Sequence, residues 1–267
     1  MKKDHIFYTV AGNDENMEYA RMMVNSLKKF HPDSPIKIFD AQDIAERGGM
    51  EQNYYKLTPL IARELITEYK TVVRLDADQI ILGDLNYVLT MPYDVGTVLN
   101  INRVDPAKYG YIGLLGNVPN PQTGAYTFLV RPNEYYNCGF VSMRSEDFVE
   151  HWWELCNSPF YDRLQYREQD LLNYLTTFGR YKTLCFDNFN LKDNYYAFHG
   201  LVSKGEWHRA IMKGDDVILP KGEDNHPDRD VVLKCIHWAG GGNEKKMNYK
   251  AFFSPEVCKR IDYLVSA

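Results

Sequence analysis

The chain has no C-x-x-C pair; its five cysteines, Cys138, Cys156, Cys185, Cys235 and Cys258, are an odd number and widely spread. This excludes the usual spacing of a zinc or thioredoxin-type centre and predicts buried free thiols in a reducing compartment. Basic stripes are also missing, and a net charge of −5 over 267 residues makes nucleic acid a poor partner. No window approaches the roughly 20 apolar residues of a transmembrane helix. Met1-Lys2-Lys3-Asp4-His5 carries the charge of a signal peptide without the apolar stretch that should follow, so a cytoplasmic protein is expected. There is no internal repeat, low-complexity tract or linker. A chain of this length can bury its own core without metal or disulfide staples.

What is present is an alternation of short β-type runs and amphipathic helices. His5–Val10 reads as a strand, residues 15–30 as a helix with Tyr19, Met22, Met23, Ser26 and Leu27 near one face, and Ile36–Phe39 as a second strand. Residues 56–69 predict another helix, and residues 71–75 a third strand. This order predicts an α/β fold with a mixed, mainly parallel sheet flanked by helices and loops gathered at the strands' C-terminal edge. Further strands are expected over residues 94–101, 135–143, 181–186 and 231–237, and helices over 145–156, 169–178 and 255–265. Residues 102–133 and 188–230 show little periodicity and are read as irregular.

The sharpest chemical signal is Asp76-Ala77-Asp78 at the end of the third predicted strand. In an extended segment, residues i and i+2 point to one side, so both carboxylates can approach one cation. Hard oxygen ligands favour Mg²⁺ or Mn²⁺, ions that bind diphosphate well. Late in the chain, His237 ends a strand pattern and precedes Gly240-Gly241-Gly242. An imidazole completing the shell tilts the choice toward Mn²⁺. The glycines would let backbone approach phosphate, with Lys245 or Lys246 neutralising it.

Five segments, in order, resemble the GT-A fold glycosyltransferases, and most of all glycosyltransferase family 8, the group of glycogenin and bacterial galactosyltransferases. Asn16-x-x-Tyr19-Ala20 with Ser26-Leu27 is similar to the first loop and helix, and Leu75-Asp76-Ala77-Asp78 to the metal motif. Tyr136-Asn137-Cys138-Gly139-Phe140 is similar to the strand lining the donor-sugar pocket. Glu168-Gln169-Asp170-Leu171-Leu172-Asn173 resembles the family's D-Q-D-x-L-N helix start, and His237-Trp238-Ala239-Gly240 its closing motif. The sequence departs from the family at Glu168, where Asp is usual, and at Asn243, where lysine is usual.

The resemblance implies a single GT-A (Rossmann-like nucleotide-binding) domain over residues 1–267. Residues 1–100 would be its nucleotide-binding half and 101–267 its donor-sugar and acceptor half. It implies that Asp76, Asp78 and His237 hold Mn²⁺ or Mg²⁺, and that Thr9, Ala11, Gly12 and Tyr19 line the nucleotide. Lys56, with Arg63 as the alternative, would be a cation near the donor, while Gly240 and Lys245 would approach its phosphates. Asn137, Glu168 and Gln169 would hold the sugar ring near the reacting carbon, with Glu168 and Asp170 as candidates for base or ring ligand. The expected reaction is transfer of a hexose from a UDP-sugar to a carbohydrate or glycoconjugate acceptor, with retention. Tyr109, Tyr111 and Tyr126 are candidates for stacking on the acceptor. A haloacid-dehalogenase-type phosphotransferase would carry its Asp-x-Asp on the first strand, and a nucleotidyltransferase would need a glycine-rich, basic first loop; neither pattern is present. An inverting transferase and an inactive sugar-nucleotide-binding module stay open as alternatives.

Overall fold

The protein is described by a computed structural model. The structure describes residues 1–49, 56–99, 135–159, 161–164, 166–186, 196–197, 210–221, 230–237, 249–251 and 253–267. In chain order the elements are β1 (Lys3–Val10), α1 (Asp14–Lys28), β2 (Ile36–Phe39), α2 (Ala41–Glu46), α3 (Leu57–Ile66), β3 (Tyr69–Leu75), β4 (Gln79–Ile81) and α4 (Asn86–Thr90). They continue as β5 (Val95–Leu99), β6 (Tyr136–Met143), α5 (Glu146–Cys156), α6 (Arg167–Phe178), β7 (Thr183–Cys185) and β8 (Tyr196–Ala197). The last are β9 (Ile211–Lys213), β10 (Asp216–Leu219), β11 (Val231–Leu233), β12 (Cys235–His237) and α7 (Pro255–Val265).

Local chemistry accounts for the helix starts. The side chains of Asn13, Ser145 and Ser254 each accept a hydrogen bond from a backbone N–H in the first turn of α1, α5 and α7, and Pro255 opens α7. The predicted stripe of α1 is the buried one: Met23, Ser26 and Leu27 are buried, with Tyr19 and Met22 partly so. The fold is α/β with a mixed, mainly parallel central sheet of strand order β2-β1-β3-β6-β5-β7. Strands β1 and β2 pair in parallel, as do β5 and β7, whereas β5 and β6 are antiparallel with an irregularity between Thr97 and Val98.

The chain divides into two units, each assembled from three stretches. One comprises Met1–Ile6, Gln42–Arg74 and Pro92–Cys185. In it α3 packs on α5, α5 on α6 and α6 on β6, burying Phe148, Trp152, Leu171 and Leu172 completely or nearly so. The other comprises Phe7–Ala41, Leu75–Met91 and Phe186–Ala267. Its core joins Ile80, Val217, Leu219, Val231, Ile236 and Leu264. It contains a four-stranded sheet of order β8-β11-β10-β9 and the two-stranded ladder β12-β4.

Two expectations are corrected here. Residues 188–230 are not irregular throughout, because Ile211–Leu219 forms a hairpin of β9 and β10. Its register pairs Lys213 with Asp216 and leaves Gly214-Asp215 as a two-residue turn. Gly214 takes a φ of +62°, which a side chain would resist and a hairpin turn of this length demands. The late strand over 231–237 is in fact two, β11 and β12, interrupted at Lys234. The Lys234 carbonyl accepts from Leu82 N–H at 2.9 Å, continuing the β4–β12 register.

Four of the five cysteines are buried, Cys185 is half-buried, and all are free thiols. Among the described residues no helix is long and apolar enough to cross a membrane.

Candidate functional site

In the unit that holds both Asp76 and His237, the end of β3 opens into a tight turn, Asp76-Ala77-Asp78, before β4 begins at Gln79. The segment is therefore a turn rather than extended, and the two carboxylates converge through that turn. Ala77 is buried in a small cluster with Ala11 and Ala20, so α1 and the end of β1 back the turn closely. The following strand is held from two sides. Ile81 N–H donates to Ser26 Oγ of α1 at 3.0 Å, and the antiparallel register of β4 with β12 sets Gln79 opposite His237. That register delivers the imidazole beside the turn.

His237 Nε2 lies 3.3 Å from Asp76 Oδ2 and 3.2 Å from Asp78 Oδ1. Its side chain is 2% exposed, while those of Asp76 and Asp78 are 31% and 34% exposed, so the carboxylates are open to an incoming ligand. One ligand atom from each residue lies within 4.8 Å of the others. An ion with bonds of about 2.2 Å keeps neighbouring ligands about 3.1 Å apart, and opposite ones about 4.4 Å apart. The spacings fit a divalent cation, and two carboxylates with one imidazole are oxygen and nitrogen donors that such an ion takes. Burial alone would lower the His237 pKa. The charge of Asp78 and hydrogen bonds to Asp76 and Asp78 outweigh it and raise the pKa to about 9.

The residues expected along the nucleotide lie in the same unit. Thr9 sits near the end of β1, and its buried hydroxyl has no hydrogen-bond partner among the described residues. Ala11 N–H donates to Phe39 O at 2.8 Å, and Gly12 is buried. Tyr19 stands one turn above Glu15 and donates to it at 2.8 Å. Gly240 and Lys245, with Lys246 and the loop tyrosines Tyr109, Tyr111 and Tyr126, lie outside the described residues.

The residues expected at the sugar lie in the other unit, where α6 packs on β6. Gln169 is half-buried; its Oε1 accepts from Cys138 N–H at 2.9 Å and its Nε2 donates to Tyr135 Oη at 3.1 Å. Asp170 is 1% exposed and accepts from Tyr135 O–H and Tyr166 N–H, each at 2.8 Å. Burial pushes its pKa up to about 6 against these two hydrogen bonds. Asn137 is buried, with Oδ1 accepting from Gly139 N–H at 2.7 Å. Glu168 is buried as well, and Tyr161 O–H lies 3.4 Å from its Oε2. Lys56 stands just before α3, its Nζ 4.3 Å from the Tyr161 ring centroid and 3.9 Å from Asp162. Arg63, the alternative cation, is ion-paired with Glu150.

Sequence reasoning assigned no role to Tyr135 or to the side chain of Asn173. Asn173 Oδ1 accepts from Tyr136 N–H at 2.7 Å and its Nδ2 donates to Tyr136 O at 2.9 Å, clasping β6 to α6. The available signal was spacing, since Gln169 and Asn173 are four apart and share a helix face.

No protein-family model matches the sequence, and no curated protein sequence matches it. Among solved structures, the chain is similar to the galactosyltransferase LgtC in complex with donor and acceptor sugar analogues. The two are 15% identical with a TM-score of 0.55, over 98% of this chain and 97% of that one. It is also similar to the bifunctional glycosyltransferase WbbM, at 12% identity and a TM-score of 0.54, over 90% of this chain and 46% of that one. A third is a glycosyltransferase involved in glycosylation of the major capsid of PBCV-1, at 12% identity and a TM-score of 0.51 over 98% of both chains. The fold is that of the GT-A glycosyltransferases.

Proposed function

We propose that the protein is a metal-dependent glycosyltransferase of the family 8 type. It would move a hexose from a UDP-sugar to a carbohydrate or glycoconjugate acceptor, with retention of configuration. The observation that carries this reading is the convergence of Asp76, Asp78 and His237 on one cation-sized position, in a chain with the glycosyltransferase fold.

Cleaving a sugar from a diphosphate builds negative charge on the departing phosphate. A divalent cation held by Asp76, Asp78 and His237 supplies Lewis-acid stabilisation of that charge when bound. The residues themselves do the rest. The two half-exposed carboxylates would hold that cation toward the diphosphate side of the donor, and His237, fixed by the β4–β12 register, would supply the third ligand. The Thr9 to Gly12 segment, at the C-terminal end of β1, receives the nucleoside. Asn137, Glu168 and Gln169 bind the sugar ring in the family resemblance. The buried, doubly hydrogen-bonded Asp170 serves there as support rather than as a base, and Lys56 supplies positive charge on the donor side.

The test is incubation with a panel of nucleotide sugars and Mn²⁺ in the absence of acceptor. Slow UDP release that ends on chelation and returns with Mn²⁺ is expected, and release that persists after thorough chelation sinks the reading. NMR of the product's anomeric proton, once an acceptor is in hand, reads retention directly.

A further inference from the structure

The carboxamide of Gln169 is held at both ends, and the chemistry of its partners decides which end is which. A backbone N–H can only donate, so the end facing Cys138 must be Oε1. At the other end the Tyr135 hydroxyl gives its one proton to Asp170, which leaves its lone pairs to accept from Gln169 Nε2. Asp170 in turn is anchored by Tyr166 N–H at the start of α6. There Arg167 adopts a φ of 41°, a left-handed conformation that a side chain takes only under constraint. Each member of the relay leaves the next one orientation.

We infer that Tyr135, braced by Asp170, is a positioning residue that locks the Gln169 carboxamide so that Gln169 offers a substrate oxygen an N–H donor. One Nε2 hydrogen is spent on Tyr135, and the other is available on this half-buried side chain. The ligand chemistry that fits is a hydroxyl or ring oxygen accepting a hydrogen bond. Without the Tyr135 hydroxyl the amide keeps Oε1 toward Cys138 N–H but loses the restraint on Nε2, so the donor is no longer held in one direction.

Two measurements test this, and only the second rests on the transferase reading. In the first, hydrogen exchange is followed at the backbone amides of Cys138 and Tyr136 in wild type, Tyr135→Phe and Gln169→Ala. Gln169→Ala sets the rate of the Cys138 amide without the carboxamide. Tyr135→Phe is expected to speed Cys138 exchange at least tenfold while Tyr136, held by Asn173, keeps its protection. Unchanged Cys138 exchange, or equal acceleration at both amides, overturns the inference.

In the second, UDP-sugar hydrolysis with Mn²⁺ is compared in a double-mutant cycle. Tyr135→Phe should lower kcat about tenfold with KM within twofold, and should add nothing further in a Gln169→Ala background. Full additivity overturns the inference. Should wild type turn over no nucleotide sugar, the transferase reading fails, and the exchange rates still decide the role of Tyr135.

Discussion

His237 shows how a single side chain is tuned by what it faces. Enclosed at 2% exposure with Nε2 toward two carboxylates, it holds a proton in the metal-free protein up to a pKa of about 9. A divalent cation must displace that proton, so metal affinity is linked to pH. Below pH 9 the Mn²⁺ dissociation constant should fall about tenfold per pH unit, levelling off above it, as titration calorimetry in buffers of different ionisation heat would read. His237→Gln should flatten the dependence and weaken binding at least tenfold. The sign for stability follows from the same shift. The folded pKa is raised above the unfolded 6.5, so this contribution is complete below about pH 6.5 and is lost as pH rises through about 9. Urea denaturation in chelator across that window should show the decline, and His237→Gln should not.

Secondary elements carry these side chains into place through a few buried polar contacts. Ser26 on α1 accepts from Ile81 N–H and donates to Met23 O, tying the helix to the strand whose partner carries His237. Ser26→Ala leaves a buried N–H without its acceptor and should cost about 1–3 kcal/mol in denaturation. It should also weaken Mn²⁺ binding, although residue 26 is no metal ligand. On α6, Asn173 satisfies both backbone groups of Tyr136. Asn173→Ala removes both bonds and should destabilise by about 1–3 kcal/mol. The hairpin of β9 and β10 depends on Gly214 at a φ of +62°, and Gly214→Val there should cost about 1–2 kcal/mol.

At the scale of the whole molecule, binding energy appears as stability. With Mn²⁺ already bound, UDP at about 100 times its dissociation constant should add about 2.7 kcal/mol and raise Tm by about 5–10 °C, whereas UDP in chelator should shift it little. The alternation of strands and helices was legible in the sequence because its signal, the apolar period of each segment, is local. The metal-ligand candidates were legible too, since Asp76 and Asp78 lie two apart at a strand end. Local pattern could not reveal β4, a three-residue strand too short to show a period, or its register with β12, which brings His237 to Asp78. Nor could it reveal the Tyr135–Asp170 relay. Buried polar groups take whatever partner packing delivers from distant parts of the chain, so residue identity was set by sequence alone, while partnership was decided by the tertiary structure.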